Sequence, residues 1–162
     1  MTIVKNFTSK LTFAFILIAA LGFSRAQAAV FNDFKTIGYV TTWRPTPSPL
    51  RLAGFTHVIL TGLKLHADSL NGALDTTKFI GNTKVNDLVT AAQPSNTKIM
   101  IMVGGWGNDS GFSEMAANST YRARFAKELS DFCVNHQLSG ADIDWEFPTD
   151  TEFDDFLETM KV

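Results

Sequence analysis

Gly140-Ala141-Asp142-Ile143-Asp144-Trp145-Glu146-Phe147-Pro148 is the stretch on which the reading of this chain turns. Its three carboxylates, Asp142, Asp144 and Glu146, alternate with apolar Ala141, Ile143, Trp145 and Phe147. In a strand, side chains two apart share a face, so the acids are expected on one face and the apolar set on the other. A rise of about 3.3 Å per residue spaces neighbouring acids by roughly 6–7 Å. Like charges that close disfavour one another's ionised forms, so the face is expected to retain a proton near neutral pH, as a general acid requires. A plain amphipathic strand explains the alternation, but its solvent face would mix charge signs, and here every polar position is acidic. Pro148 cannot extend a sheet ladder, which places Glu146 at the strand's C-terminal end. Ligands bind at that end in parallel α/β folds.

Ser139-Gly140-Ala141-Asp142-Ile143-Asp144-Trp145-Glu146 resembles the signature of the glycoside hydrolase family 18 chitinases. That signature reads Asp-Gly-x-x-x-Asp-Trp-Glu, with a further Asp two residues before its last Asp. Ser139 stands in place of the leading Asp.

The chain begins with a different kind of segment. Lys5 and Lys10 precede an apolar run from Leu11 to Phe23, and Ala26-Gln27-Ala28 offers a small-x-small cleavage site. That is the pattern of a secretory signal peptide over residues 1–28, too short for a spanning helix. The expectation is a secreted protein, extracellular or periplasmic, with residues 29–162 as its mature domain and no stable membrane insertion once the leader is cut. Removing Lys5, Lys10 and Arg25 makes the mature chain more acidic than the net −2 of the whole. With no basic cluster, nucleic acid is not an expected partner, whereas a neutral polysaccharide is compatible. The one cysteine, Cys133, falls in an apolar helical pattern and reads as a buried thiol. His57, His66 and His136 lack metal-ligand spacing, so neither metal nor cofactor is expected.

Between leader and signature, strand and helix patterns alternate. Lys35–Thr41 reads as a first strand, followed by the proline-rich loop Trp43–Pro49. Phe55–Thr61, bounded by Gly54 and Gly62, is a second, and Asp75–Ala92 carries helical spacing in Phe79, Ile80, Val85, Leu88 and Val89. Lys98–Val103 is a continuous apolar run, as in a strand buried on both faces. Ser119–His136 places Tyr121, Phe125, Leu129 and Phe132 on one helical stripe, and Asp150–Val162 opens a further amphipathic helix. Alternating βα units predict an α/β fold with a parallel sheet.

The resemblance implies more: a (β/α)8 TIM barrel, of which the chain holds about the first four units. Such barrels take about 250 residues, so the sequence reads as the N-terminal half of a longer hydrolase. Half a barrel leaves its first and fourth strands as open edges, and self-association through them is expected. By the same resemblance, Glu146 matches the general acid/base and Asp144 the carboxylate that orients the substrate's 2-acetamido group. Asp142 matches the inner carboxylate that shares a proton with Asp144, and Tyr39 a supporting hydrogen-bond donor to it. The implied chemistry is substrate-assisted, retaining hydrolysis of β-1,4-linked N-acetylglucosamine polymers, with chitin or chitooligosaccharide as partner. Gly104-Gly105 looks like the Gly-Gly of the family's Ser-x-Gly-Gly motif after the third strand. Those two glycines and the strand-end residues Trp43 and Trp106 are the substrate-binding candidates.

The family's Ser is here Met102, whose thioether cannot donate a hydrogen bond to Asp142. Its Tyr-Asp pair on strand six and Trp on strand eight have no counterpart up to Val162. Two further readings therefore stand beside hydrolysis: a chitin-binding protein without turnover, and an inactive piece of a longer chitinase. The family's relatives that cleave within N-glycans share the acidic signature as well.

Overall fold

Apolar and β-branched runs build four parallel strands, β1 (Ile37–Val40), β2 (His57–Leu63), β3 (Lys98–Gly104) and β4 (Ala141–Asp144). They lie side by side in chain order, β1-β2-β3-β4. Parallel neighbours need a crossover between them, and five helices occupy the intervening and trailing segments. These are α1 (Pro49–Leu52), α2 (Asn82–Ala92), α3 (Phe112–Ala117), α4 (Ser119–Asn135) and α5 (Phe153–Thr159). The structure, a computed structural model, describes residues 34–77, 79 and 81–162. The leader expected over residues 1–28 lies outside the described residues.

The two faces of the sheet differ sharply. Val58 and Leu60 of β2 and Ile99, Ile101 and Val103 of β3 are buried on one face. They pack with Val85 and Leu88 of α2, Phe112 and Met115 of α3, and Phe125, Leu129 and Phe132 of α4 in a single apolar cluster. The helical stripe read from α4 is thus the face that closes the core. On the opposite face the register sets Tyr39 beside Ile59, Ile59 beside Met100, and Met102 beside Asp142. Ile59 and Met102 are buried there, but Ile37 and Tyr39 on the β1 edge are more than half exposed.

Several boundaries differ from the sequence reading. The helix expected over Asp75–Ala92 begins only at Asn82. Residues just after β2 pair instead with the segment before α2: Leu65 bridges Leu74, and the Asp75 amide donates to the Lys64 carbonyl at 2.9 Å. That extended pairing holds residues 73–75 out of helical conformation. The strand read as ending before Gly62 continues to Leu63, because a bulge between Leu60 and Leu63 absorbs the extra residue. Pro49, placed in a loop by the sequence, opens the short helix α1, where its missing N–H costs nothing. Helix α3 was not foreseen; six residues are too few to show a period. Cys133 is a free thiol, partly buried, and burial pushes its pKa up. No helix among the described residues is long and apolar enough to cross a membrane.

Candidate functional site

The site grows from the C-terminal ends of β1, β3 and β4. Asp142 and Asp144 project from the same face of β4, and Asp142 lies opposite Met102 while Asp144 lies opposite Gly104. The strand ends at Asp144, so Glu146 follows two residues past it and not on its last rung. The reason is Trp145. Its ring is buried, stacked on Phe112 at 5.5 Å and 22°, with Phe156 edge-on at 6.0 Å. Wedged between α3 and α5, Trp145 fixes where the chain leaves the sheet and Glu146 emerges.

Tyr39 shows how strongly the sheet curves. Its hydroxyl donates to Asp142 Oδ2 at 2.9 Å, across 103 residues of sequence. Tyr39 is on β1 and Asp142 on β4, the two edges of the sheet. In a flat sheet these edges would stand about 14 Å apart, three spacings of 4.7–4.9 Å, beyond the joint reach of the two side chains. Curvature therefore brings the edge strands' inner side chains together, as in the wall of a barrel.

The same hydrogen bond acts on Tyr39 itself. Donation to Asp142 raises its phenol above the ordinary value of 10, with burial and the charges of Asp142 and Asp144 acting in the same sense. The folded pKa lies above the unfolded one, so this contribution to stability is fully present below pH 10 and fades as pH rises through the folded value. The expected result is a late-titrating phenolate component in the ultraviolet spectrum of the folded protein that Tyr39→Phe removes. Its survival in the variant would sink the assignment.

Gly104 and Gly105 make the close junction between β3 and β4. The Gly105 amide donates to the Asp144 carbonyl at 2.7 Å. Met102 lies beneath them, buried, with its methyl group packed toward Gly105. Ser139 sits before the opposite end of β4, exposed, its amide donating to the Ile99 carbonyl at 2.7 Å. Its substitution is therefore remote from the acids, whereas Met102 lies directly beside Asp142.

Trp43 and Trp106 follow β1 and β3 on the same end of the sheet as the acids, 72 % and 81 % exposed. Neither is packed into the core. A third aromatic joins them. Phe147, after Glu146, is 71 % exposed; its place in the alternation had assigned it to the buried set, but the strand has already ended. Among the described residues no group of His, Cys, Asp and Glu is arranged to hold a metal ion.

Comparison with known proteins gives this arrangement its family. A sequence model described as "Glycosyl hydrolases family 18" matches residues 35–162. The chain belongs to that family. It is 30% identical over 121 residues to a chitinase-like effector of Moniliophthora perniciosa, covering 72% of this chain and 27% of the relative. It is 29% identical over 142 residues to probable chitinase 2 of Drosophila melanogaster, covering 76% and 29%. This family 18 chain thus spans about a third or less of the curated relatives it matches.

The fold agrees. A family 18 chitinase of Cycas revoluta, solved in complex with (GlcNAc)4, superposes with a TM-score of 0.69 at 19% identity, covering 79% of this chain and 39% of that one. A chitinase of Rhizomucor miehei gives 0.67 at 22% identity, covering 79% and 36%. The four parallel strands and their helices are thus the first βα units of a (β/α)8 barrel.

Proposed function

We propose that this chain carries the acid-bearing half of a secreted family 18 glycosidase acting on β-1,4-linked N-acetylglucosamine polymers, with residues 1–28 as its leader. The observation that supports it best is the Tyr39–Asp142 hydrogen bond, made on the strand from which Asp144 projects and after which Glu146 follows. In this reading Glu146 protonates the leaving glycosidic oxygen as the bond to the anomeric carbon breaks. The substrate's own acetamido oxygen attacks that carbon from the other face, giving an oxazolinium ion. Asp144 accepts a hydrogen bond from the acetamido N–H and balances the positive charge. Water then gives a proton to Glu146 and opens the ion, restoring the β-anomer. Asp142 is held beside Asp144 by the Tyr39 hydroxyl, which donates to it at 2.9 Å. Trp43 and Trp106 offer exposed ring faces for sugar stacking, and Gly104 and Gly105 let the chain run close to the substrate.

A specific observation favours a second reading, chitooligosaccharide binding without turnover. Met102 lies beside Asp142 and gives it no hydrogen bond, leaving Tyr39 as its side-chain donor among the described residues.

One assay separates the two readings. The native protein from culture medium is incubated with chitotetraose while binding, new reducing ends and product anomer are followed. Hydrolysis with β-products formed first supports the glycosidase; binding without hydrolysis selects the second reading. Neither binding nor cleavage overturns both.

A further inference from the structure

Glu146 sits on a short segment fastened at each end, and we infer that Glu152 is a positioning residue for it, making the second fastening. The first is Trp145, buried and stacked on Phe112 of α3 at 5.5 Å. The second lies at Thr149, which donates its amide, at 2.8 Å, and its hydroxyl, at 2.7 Å, to Oε2 of Glu152. The Glu152 amide in turn donates to the Thr149 carbonyl at 2.9 Å. The Ser113 hydroxyl donates to the same Glu152 carboxylate. Phe112 and Ser113 open α3, so both ends of the segment 145–149 are seated on neighbouring residues of one helix.

That helix is a fixed floor, since Phe112, Met115 and Ala116 are fully buried in the cluster on the helix side of the sheet. The residues between the fastenings have no comparable hold. Glu146 is half-buried, Phe147 is 71 % exposed and Pro148 has no N–H to donate. The ends of such a segment decide where its acid points, and a displacement of about 1 Å can cost about 10²-fold in rate. Thr-x-x-Glu is also the spacing of a capping box, which would do no more than start α5. Ser113 exceeds a cap, because it belongs to a different helix and takes no part in the turn at 149–152. Ser113 first, then the amide and hydroxyl of Thr149, hold the Glu152 carboxyl below the ordinary carboxylate value. It is therefore an ionised acceptor near neutral pH.

The inference rests on the reading of Glu146 as general acid/base and extends it to a residue that acts only through the segment. Glu152→Ala frees the Thr149 end and lowers kcat about tenfold or more with KM little changed. Glu152→Gln keeps an acceptor oxygen for Thr149 and restores most of the rate. Ser113→Ala leaves the Thr149–Glu152 turn intact, yet it lowers kcat in the same direction. In the Glu152→Ala background it adds little, because the two residues act through one link.

Chitotetraose kinetics, melting temperature and backbone amide relaxation, measured on the full-length protein and these variants, test it together. The relaxation measurement needs no turnover. Order parameters of Glu146 and Phe147 are expected at about 0.85 in the wild type, below about 0.6 in Glu152→Ala, and restored in Glu152→Gln. Unchanged order parameters in Glu152→Ala overturn the inference, whatever the kinetics. A kcat loss in Glu152→Gln as deep as in Glu152→Ala overturns it too, since the effect then belongs to charge. So does a Ser113→Ala variant with wild-type kcat and order parameters, or a loss that merely tracks melting temperature. A wild type that does not cleave chitotetraose overturns the glycosidase reading instead, and the order parameters alone then decide whether Glu152 holds the segment.

Discussion

Replacing Gly104 by Ala is expected to lower the stability of the folded unit by roughly 2–5 kcal/mol, a drop in denaturant midpoint with an unchanged slope. Two costs add at this position. Gly104 has φ +102°, a conformation that an L side chain rarely adopts, with a strain of about 1–2 kcal/mol. A methyl group there would also collide with the carbonyl oxygen of Asp144 on β4. That atom is backbone, held by the Gly105 amide at 2.7 Å, so it cannot swing aside as a side chain would. Relief requires the two strands to part, at about 1–3 kcal/mol for an overpacked contact. Gly107→Ala is the internal control: its φ is +72°, but no atom lies within 4 Å of the added methyl. The control should show the strain alone. Equal losses for the two variants would mean that the close approach of β3 to Asp144 is not where the strand pair is held together.

Parts of this geometry were legible from residues alone. The two-residue spacing of Asp142 and Asp144 put them on one face, and that is where they lie. The runs around Ile59, Ile101 and Val103 read as strands because long apolar segments have few other solutions. The places where the reading slipped share a cause: a partner far away in sequence. Helix α2 starts late because residues 73–75 are paired with 64–66, which local spacing near Phe79 does not reveal. Strand β4 stops at Asp144 because Phe112 and Phe156, on helices before and after it, capture Trp145. Phe147 is exposed as a consequence. Tyr39 became a candidate only through family resemblance, since nothing in spacing links it to an acid 103 residues away.

Glu146→Gln is expected to cut hydrolysis of chitotetraose by roughly 10²–10⁴-fold, the usual share of a positioned general acid/base. The amide matches the carboxylate in shape, yet it neither hands a proton to the leaving oxygen nor removes one from water. Both half-reactions assigned to Glu146 therefore fail together, and the loss should appear in kcat with little change in KM. Folding should be almost untouched. Glu146 lies past the end of β4, only partly buried, and Trp145, not Glu146, anchors that turn in the core. Melting temperature and chitotetraose affinity thus serve as controls that a misfolded variant would fail. The contrast with Met102→Ser sharpens the test: a hydroxyl beside Asp142 adds a donor where the thioether has none, so this variant should gain activity or leave it unchanged. Hydrolysis that survives Glu146→Gln with a normal melting curve would remove Glu146 from the role of acid. A wild type that binds the oligosaccharide as tightly as the variant, with neither cleaving it, would instead mark the acidic mouth of β4 as a binding site. In that case Met102 is the substitution to reverse first, because it lies opposite Asp142 in the register while Ser139 lies at the far end of the strand.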